Sequence, residues 1–186
     1  MKLFQLSINA FAYIVLAFLP IGANAEGPNQ EGETKMKELI LDLSSENGQR
    51  RIGATKAIFD QGKAALAPLR EAGAKQIAPT GGTVGGTRRL DIVYSVIEGF
   101  PPNAPKARAG YKTDSFGLHV ENGTTEEDIQ TLCRKYKCTL DGKFTAEGRP
   151  NCYLQIRQAK SLEAVIQQIL STEPKVTTIN LNYFVQ

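Results

Sequence analysis

Four side chains in the sequence have the chemistry for nucleophilic or metal work: the single histidine, His119, and the three cysteines, Cys133, Cys138 and Cys152. A thiol nucleophile needs partial exposure and an adjacent base. The spacing keeps these groups apart. Phe116, Leu118 and Val120 alternate with Gly117, His119 and Glu121, the period of a half-buried strand, so His119 points away from the apolar layer. Ile129, Leu132, Cys133 and Tyr136 fall at i, i+3, i+4 and i+7, the inner stripe of a helix. Cys152, Leu154 and Ile156 face one way along another strand, with Tyr153, Gln155 and Arg157 facing the other. Cys133 and Cys152 thus face the helices while His119 faces away as a surface residue, which leaves no thiol–imidazole pair. A zinc site lacks ligands as well. No catalytic residue, no metal ligand and no cofactor is assigned, and the chain reads as non-enzymatic.

Two further motifs fail on their context. Gly81 and Gly86 have the glycine spacing of a phosphate-cradling loop, but Thr87-Arg88 stands where Lys-Ser/Thr is needed, and no strand precedes it. Asn122-Gly123-Thr124 has glycosylation spacing, yet Asn-Gly is expected for conformational reasons at a strand-to-helix turn. Three cysteines in an exported chain allow several bridges. A Cys138–Cys152 bridge is awkward, because a turn near residues 148–151 sets Cys138 opposite a residue well beyond Cys152. Cys133–Cys138, Cys133–Cys152 and a set of free buried thiols stay open.

The elements that position these residues follow from composition and pattern. The 186 residues carry 22 Lys+Arg and 19 Asp+Glu, a net charge of +3, too small for nucleic-acid capture by charge alone. The apolar content excludes a disordered chain. Lys2, the apolar run from Ala10 to Ile21 and the small-x-small Ala23-Asn24-Ala25 have the form of a secretory signal over residues 1–25. The run is short for a membrane span. A secreted or periplasmic protein is expected, with no membrane association after cleavage and a disordered polar N-terminus over residues 26–34.

Residues 35–98 read as an all-α module and residues 99–113, rich in proline and glycine, as a linker. Met36, Leu39, Ile40 and Leu43 form one helical stripe. Ser44 or Ser45 is placed to cap a second helix with Ile52, Thr55, Ile58 and Phe59 inward, and Gly62 stops it. Ala65, Leu66 and Leu69 follow around Pro68, and a fourth helix presents Leu90, Val93, Val96 and Ile97. The order Leu43-Ser44-Ser45, Arg51 with Ala54-Thr55, Gly62, Ala65 and Ala67-Pro68-Leu69 resembles a HEAT-like repeat, with Arg88-Arg89 opening a following unit. That resemblance implies protein contact, hence a second protein partner at this module; a bundle serving only as spacer is the alternative.

Residues 114–186 read as β-α-β-β-α-β, a ferredoxin-like α+β domain with a four-stranded antiparallel sheet and two helices on one face. Thr124 and Glu127 have capping-box spacing before the first of these helices, and Ser161 caps the second, with Leu162, Val165, Ile166 and Ile169 inward. Strands are expected over 139–146, 152–157 and 176–185. One sheet face stays uncovered by helices and carries His119, Tyr153, Gln155 and Arg157, a mixed polar and aromatic surface suited to protein contact.

This second domain resembles the propeptide of subtilisin-type serine proteases. Ile129, Leu132, Lys135 and Tyr136 fit the first helix of that family, Leu140 and Phe144 its second strand, Tyr153-Leu154-Gln155-Ile156 its third, and Ser161-Leu162-Glu163-Ala164 the opening of its second helix. Thr172-Glu173-Pro174-Lys175-Val176 followed by Asn182-Tyr183 is close to the acid-Pro-x-Val and Asn-Tyr of the last strand. The resemblance implies an inhibitor or folding chaperone of a subtilisin-like serine protease, docking by the sheet face. It also implies that the tail Asn182, Tyr183, Phe184, Val185 and Gln186 lies in the substrate cleft as an added strand. Gln186 would then sit nearest the catalytic serine, its terminal carboxylate like a cleaved product, with Tyr183 in an outer apolar pocket. Two departures stand out: Leu181 replaces the usual Pro or acid before Asn182, and Gln186 is not a usual primary-pocket residue. A non-inhibitory interaction module, working through the HEAT-like half, is the alternative function.

Overall fold

The computed structural model describes residues 30–75, 88–100, 111–145, 151–156 and 161–183. The expected leader, the loop at 81–87, Arg157 and the last three tail residues lie outside the described residues, as does most of the expected linker. In chain order the elements are α1 (Gln30–Asp42), α2 (Gly48–Gln61), a 3-10 turn (Gly62–Ala65), α3 (Leu66–Glu71), α4 (Arg89–Glu98), β1 (Tyr111–Val120), α5 (Glu126–Tyr136), β2 (Cys138–Thr145), β3 (Asn151–Ile156), α6 (Leu162–Thr172) and β4 (Val176–Tyr183). Helices α1–α4 precede a mixed α+β part. Among the described residues, no helix is long and apolar enough to cross a membrane.

The four strands form one antiparallel sheet in the order β2-β3-β1-β4. Its register brings Phe116 opposite Leu154 and Leu181, and Leu118 opposite Cys152 and Ile179. These six side chains are nearly inaccessible and form one apolar sheet face. Ile129, Leu132, Cys133 and Tyr136 of α5 are buried in the same core as Leu162, Val165, Ile166, Ile169 and Leu170 of α6. Burying each large apolar side chain is worth about 1.5–3 kcal/mol, so this two-layer contact is the main source of order in the α+β part.

Local signals explain most of the element ends. Ser161 caps α6 by accepting from the Ala164 N–H, as expected. The capping box of α5 sits one residue later than expected. Thr125 accepts from the Asp128 N–H and Asp128 reaches back to the Thr125 N–H, while Thr124 turns its hydroxyl to the Glu121 carbonyl. At the other end Lys137 takes the left-handed conformation, φ 56°, which lets the chain reverse directly into β2. The cap of α2 is Asn47 rather than Ser44 or Ser45, with its Oδ1 accepting from the N–H groups of Gln49 and Arg50. Helix α1 already begins at Gln30, inside the stretch expected to be disordered, with Glu31 and Glu33 in its first turn, where acidic groups favour the helix dipole.

The inward faces of α2 and α4 are rotated from the expected stripes. Arg51, Ala54, Thr55 and Ile58 are buried in α2, whereas Ile52 and Phe59 are only half-buried. Arg89, Ile92, Val93, Tyr94 and Ser95 are buried in α4, whereas Leu90, Val96 and Ile97 are half-buried. The reason is that α2 and α4 have a second surface to cover: α2 packs on α6, and α4 packs on both α6 and β4. Buried residues of the helices and of the sheet belong to one continuous hydrophobic cluster.

Candidate protein-docking site

The strand register gathers a polar face on the side of the sheet opposite α5 and α6. Ser115, Gly117 and His119 of β1 alternate with the buried apolar row. Their partners are Gln155, Tyr153 and Asn151 on β3, and Asn180 and Thr178 on β4 for Gly117 and His119. The register therefore brings His119, Tyr153 and Gln155 onto one face, as the alternation implies. Asn182 and Tyr183 close β4, with Tyr183 opposite Tyr111 at the sheet's end. Of the four strands, β4 and β2 are the edges.

This face is less open than its polarity suggests. Gln155 is exposed, but Ser115 and Gly117 are buried and His119, Thr178 and Asn180 are half-buried. His119 is engaged rather than free at the surface: the Asn180 side-chain amide nitrogen lies 2.5 Å from its Nε2. That nitrogen can only donate, so the imidazole nitrogen accepts. The His119 carbonyl accepts from Thr177 Oγ1 at 3.0 Å. Asn180 Oδ1 is buried without a hydrogen-bond partner among the described residues. The Asn180–His119 pair was not singled out from sequence, although Thr178-Ile179-Asn180-Leu181-Asn182 alternates polar with apolar and carries the signal.

The thiols lie on the opposite side. Cys133, Cys138 and Cys152 are buried thiols, none of them in a disulfide, one of the arrangements left open. Cys138 pairs in register with Ile156, away from Cys152. Burial, and secondarily the neighbouring Cys133, push the Cys152 thiol up to about 12, so it stays protonated at neutral pH and is a poor nucleophile. Among the described residues, no group of three or more His, Cys, Asp or Glu side chains could hold a metal ion.

Beside that shared apolar core, the sheet is tied to the helices by a pair of buried arginines, Arg51 and Arg89, to which sequence reading assigned no such role. Arg89 is 5% exposed and donates from Nε to Thr55 Oγ1 at 2.9 Å and from Nη1 to the Val176 carbonyl at 2.9 Å. Its Nη2 donates to the Leu170 carbonyl in the last turn of α6, where a cation favours the helix dipole. Burial, and then the like charge of Arg51, lower the Arg89 guanidinium to about 10. Arg51 donates to the carbonyls of Ser45, Glu46 and Pro174 at 2.6, 2.9 and 2.6 Å, and pairs with Glu121 at the end of β1. Thr55 links the two, donating to the Arg51 carbonyl at 2.7 Å while accepting from Arg89. Both arginines thus grip the turn between α6 and β4 from the helical side.

A second brace closes the other side of that turn. Lys175 reaches Asp128 at 2.8 Å and Lys135 reaches Glu173 at 2.7 Å. The Lys175 ammonium, with the Thr125 N–H and hydroxyl, holds the Asp128 carboxyl down at about 2. The start of β4 is therefore fixed from both flanks. Comparison with known protein families, with curated proteins and with solved structures returned no match.

Proposed function

We propose that the α+β part is a ferredoxin-like, propeptide-type domain that inhibits a subtilisin-like serine protease or assists its folding. In this reading the sheet face bearing His119, Tyr153 and Gln155 docks on the enzyme, and the chain beyond β4 enters the substrate cleft as an added strand. The observation that carries it is the position of β4. It is an edge strand, paired on one side by β1 and braced at its start by Arg51, Arg89 and Lys175, and it carries Asn182 and Tyr183 at its far end, next to residues 184–186 of the chain. An edge strand is a template for pairing with a second chain, and a strand held firmly at its start delivers its far end with little loss of conformational freedom.

The polar face supports the same reading. Helices α5 and α6 pack on the opposite side, and a mixed surface of amide, imidazole and hydroxyl groups suits a reversible protein contact. The test is an inhibition assay of residues 26–186 against a panel of subtilisin-like proteases. Tight inhibition of at least one is expected, weakened by His119→Ala and by Gln155→Arg on the docking face. Slow cleavage without inhibition across the panel refutes the proposal. That outcome favours the interaction-module alternative, to which the exposed apolar surface on the helical side lends support.

A further inference from the structure

The outer side of the helical segment carries an apolar trough of about 600 Å³ between α1 and α3. Met36, Ile40, Ala67, Pro68 and Ala72 line its apolar part. Leu41 also lines it, the single large hydrophobic side chain among the described residues that is exposed, at 71%. The trough lies on α1 and α3, whereas α2 and α4 supply the packing against α6 and β4. It is therefore separate from the sheet face.

We infer that this trough is a self-association surface and that its occupant is a second copy of the same chain. Two features of the surface select that occupant. First, it holds both a knob and a socket. Leu41 protrudes, while Ala67, Pro68 and Ala72 offer the small side chains between which a leucine can seat. An isologous dimer needs both on one patch, because each copy presents the same surface. Second, its lining carries both signs of charge, Glu33 and Lys37 on α1 and Glu71 on α3. Two glutamates repel a uniformly acidic partner, and a uniformly basic one leaves Lys37 facing a like charge. A second copy meets each sign with its opposite, Lys37 of each copy lying against a glutamate of the other. Seating two leucines and covering two troughs also removes an exposed apolar patch that a monomer would leave in water.

Sedimentation equilibrium of residues 26–186, from micromolar to a few hundred micromolar, tests this. A reversible monomer–dimer equilibrium is expected. Leu41→Glu weakens it at least about tenfold, the size of a central interface contact. Ala67→Arg, on the opposite wall and exposed, does the same while its circular dichroism stays that of the wild type. Lys37→Glu weakens the dimer, and combining it with Glu71→Lys restores it. A chain that stays monomeric throughout the range overturns the inference, whatever else the trough then holds. So does a dimer indifferent to both Leu41→Glu and Ala67→Arg, which must form elsewhere. Neither outcome bears on protease inhibition, which is read on the other face.

Discussion

Arg89→Met is the perturbation that best probes how the helical segment supports the sheet. Methionine keeps an unbranched apolar stem, so the loss is confined to the guanidinium. Three donations disappear, to Thr55 Oγ1, the Val176 carbonyl and the Leu170 carbonyl. Each hydrogen bond from a charged donor is worth about 1.5–3 kcal/mol, so the gross loss is roughly 6 kcal/mol. Against this stands the relief of burying a cation beside Arg51. The guanidinium is lowered from its ordinary value to about 10, which opposes the charged form by roughly 3 kcal/mol at 1.4 kcal/mol per unit. A net destabilisation of about 3 kcal/mol remains, or roughly 6–12 °C in Tm for a chain of this size. Urea denaturation followed by far-ultraviolet circular dichroism and by tyrosine fluorescence gives the value. The tyrosine signal is weighted to the part after residue 110, which holds Tyr111, Tyr136, Tyr153 and Tyr183, whereas the dichroism is weighted to all the helices, so coincident transitions show that both parts unfold together. A loss below about 1 kcal/mol would refute the reasoning, since the carbonyls of Leu170 and Val176 would then be served equally well without Arg89.

Three other expectations can be checked in the same material. A Cβ added at Gly48 would collide with the Pro174 carbonyl oxygen and lie 2.8 Å from Pro174 Cβ, whereas one at Gly53 meets nothing within 4 Å; Gly48→Ala should therefore cost about 1–3 kcal/mol and Gly53→Ala, in mid-helix, should gain up to about 1 kcal/mol, both read from urea midpoints. The Asp128 carboxyl is lowered from 3.8 to about 2, so its contribution to stability is full above about pH 4 and is lost as pH falls toward 2; the gap in Tm between wild type and Asp128→Asn should close over that window. The Cys152 thiol is raised from 9.0 to about 12, so the folded chain should resist thiol reagents at pH 8 and lose stability as pH rises from 9 toward 12, when the unfolded thiol ionises and the folded one does not; reaction rates with and without denaturant, compared with Cys152→Ser, measure both.

The parts that could be read from sequence are those whose pattern has a single cause. The stripe Ile129, Leu132, Cys133 and Tyr136 and the alternation of Phe116, Leu118 and Val120 each face one core, and periodicity alone locates them. The α2 and α4 stripes were only partly right, with Thr55, Ile58 and Val93 buried as expected but Arg51, Ala54, Arg89 and Ile92 also inside, because those helices cover two surfaces at once. Arg51 and Arg89 look like solvated charges in a list of residues, and only the approach of the α6 and β4 carbonyls makes their burial tolerable. Arg88-Arg89 opening a helix was visible, but one of the pair is exposed and bonded to Asp91 while the other is buried, a distinction that depends on tertiary packing. At the capping box, Thr124 and Thr125 offer the same hydroxyl, and the choice fell to the pair with Asp128 because Thr124 is held by the Glu121 carbonyl. On the polar sheet face, the positions of His119 and Gln155 were legible from alternation. The closing of His119 onto Asn180 was not, since it depends on the β1–β4 register.

The inhibition constant of residues 26–186, set beside that of residues 26–181 against the same subtilisin-like protease, tests the proposed mode of action most directly. If the strand that β4 launches occupies the substrate cleft, removing Asn182, Tyr183, Phe184, Val185 and Gln186 raises the constant at least about a hundredfold, the loss of roughly 3 kcal/mol expected for several backbone hydrogen bonds and one seated aromatic ring. An unchanged constant would contradict it, and would place any inhibition on the sheet face alone.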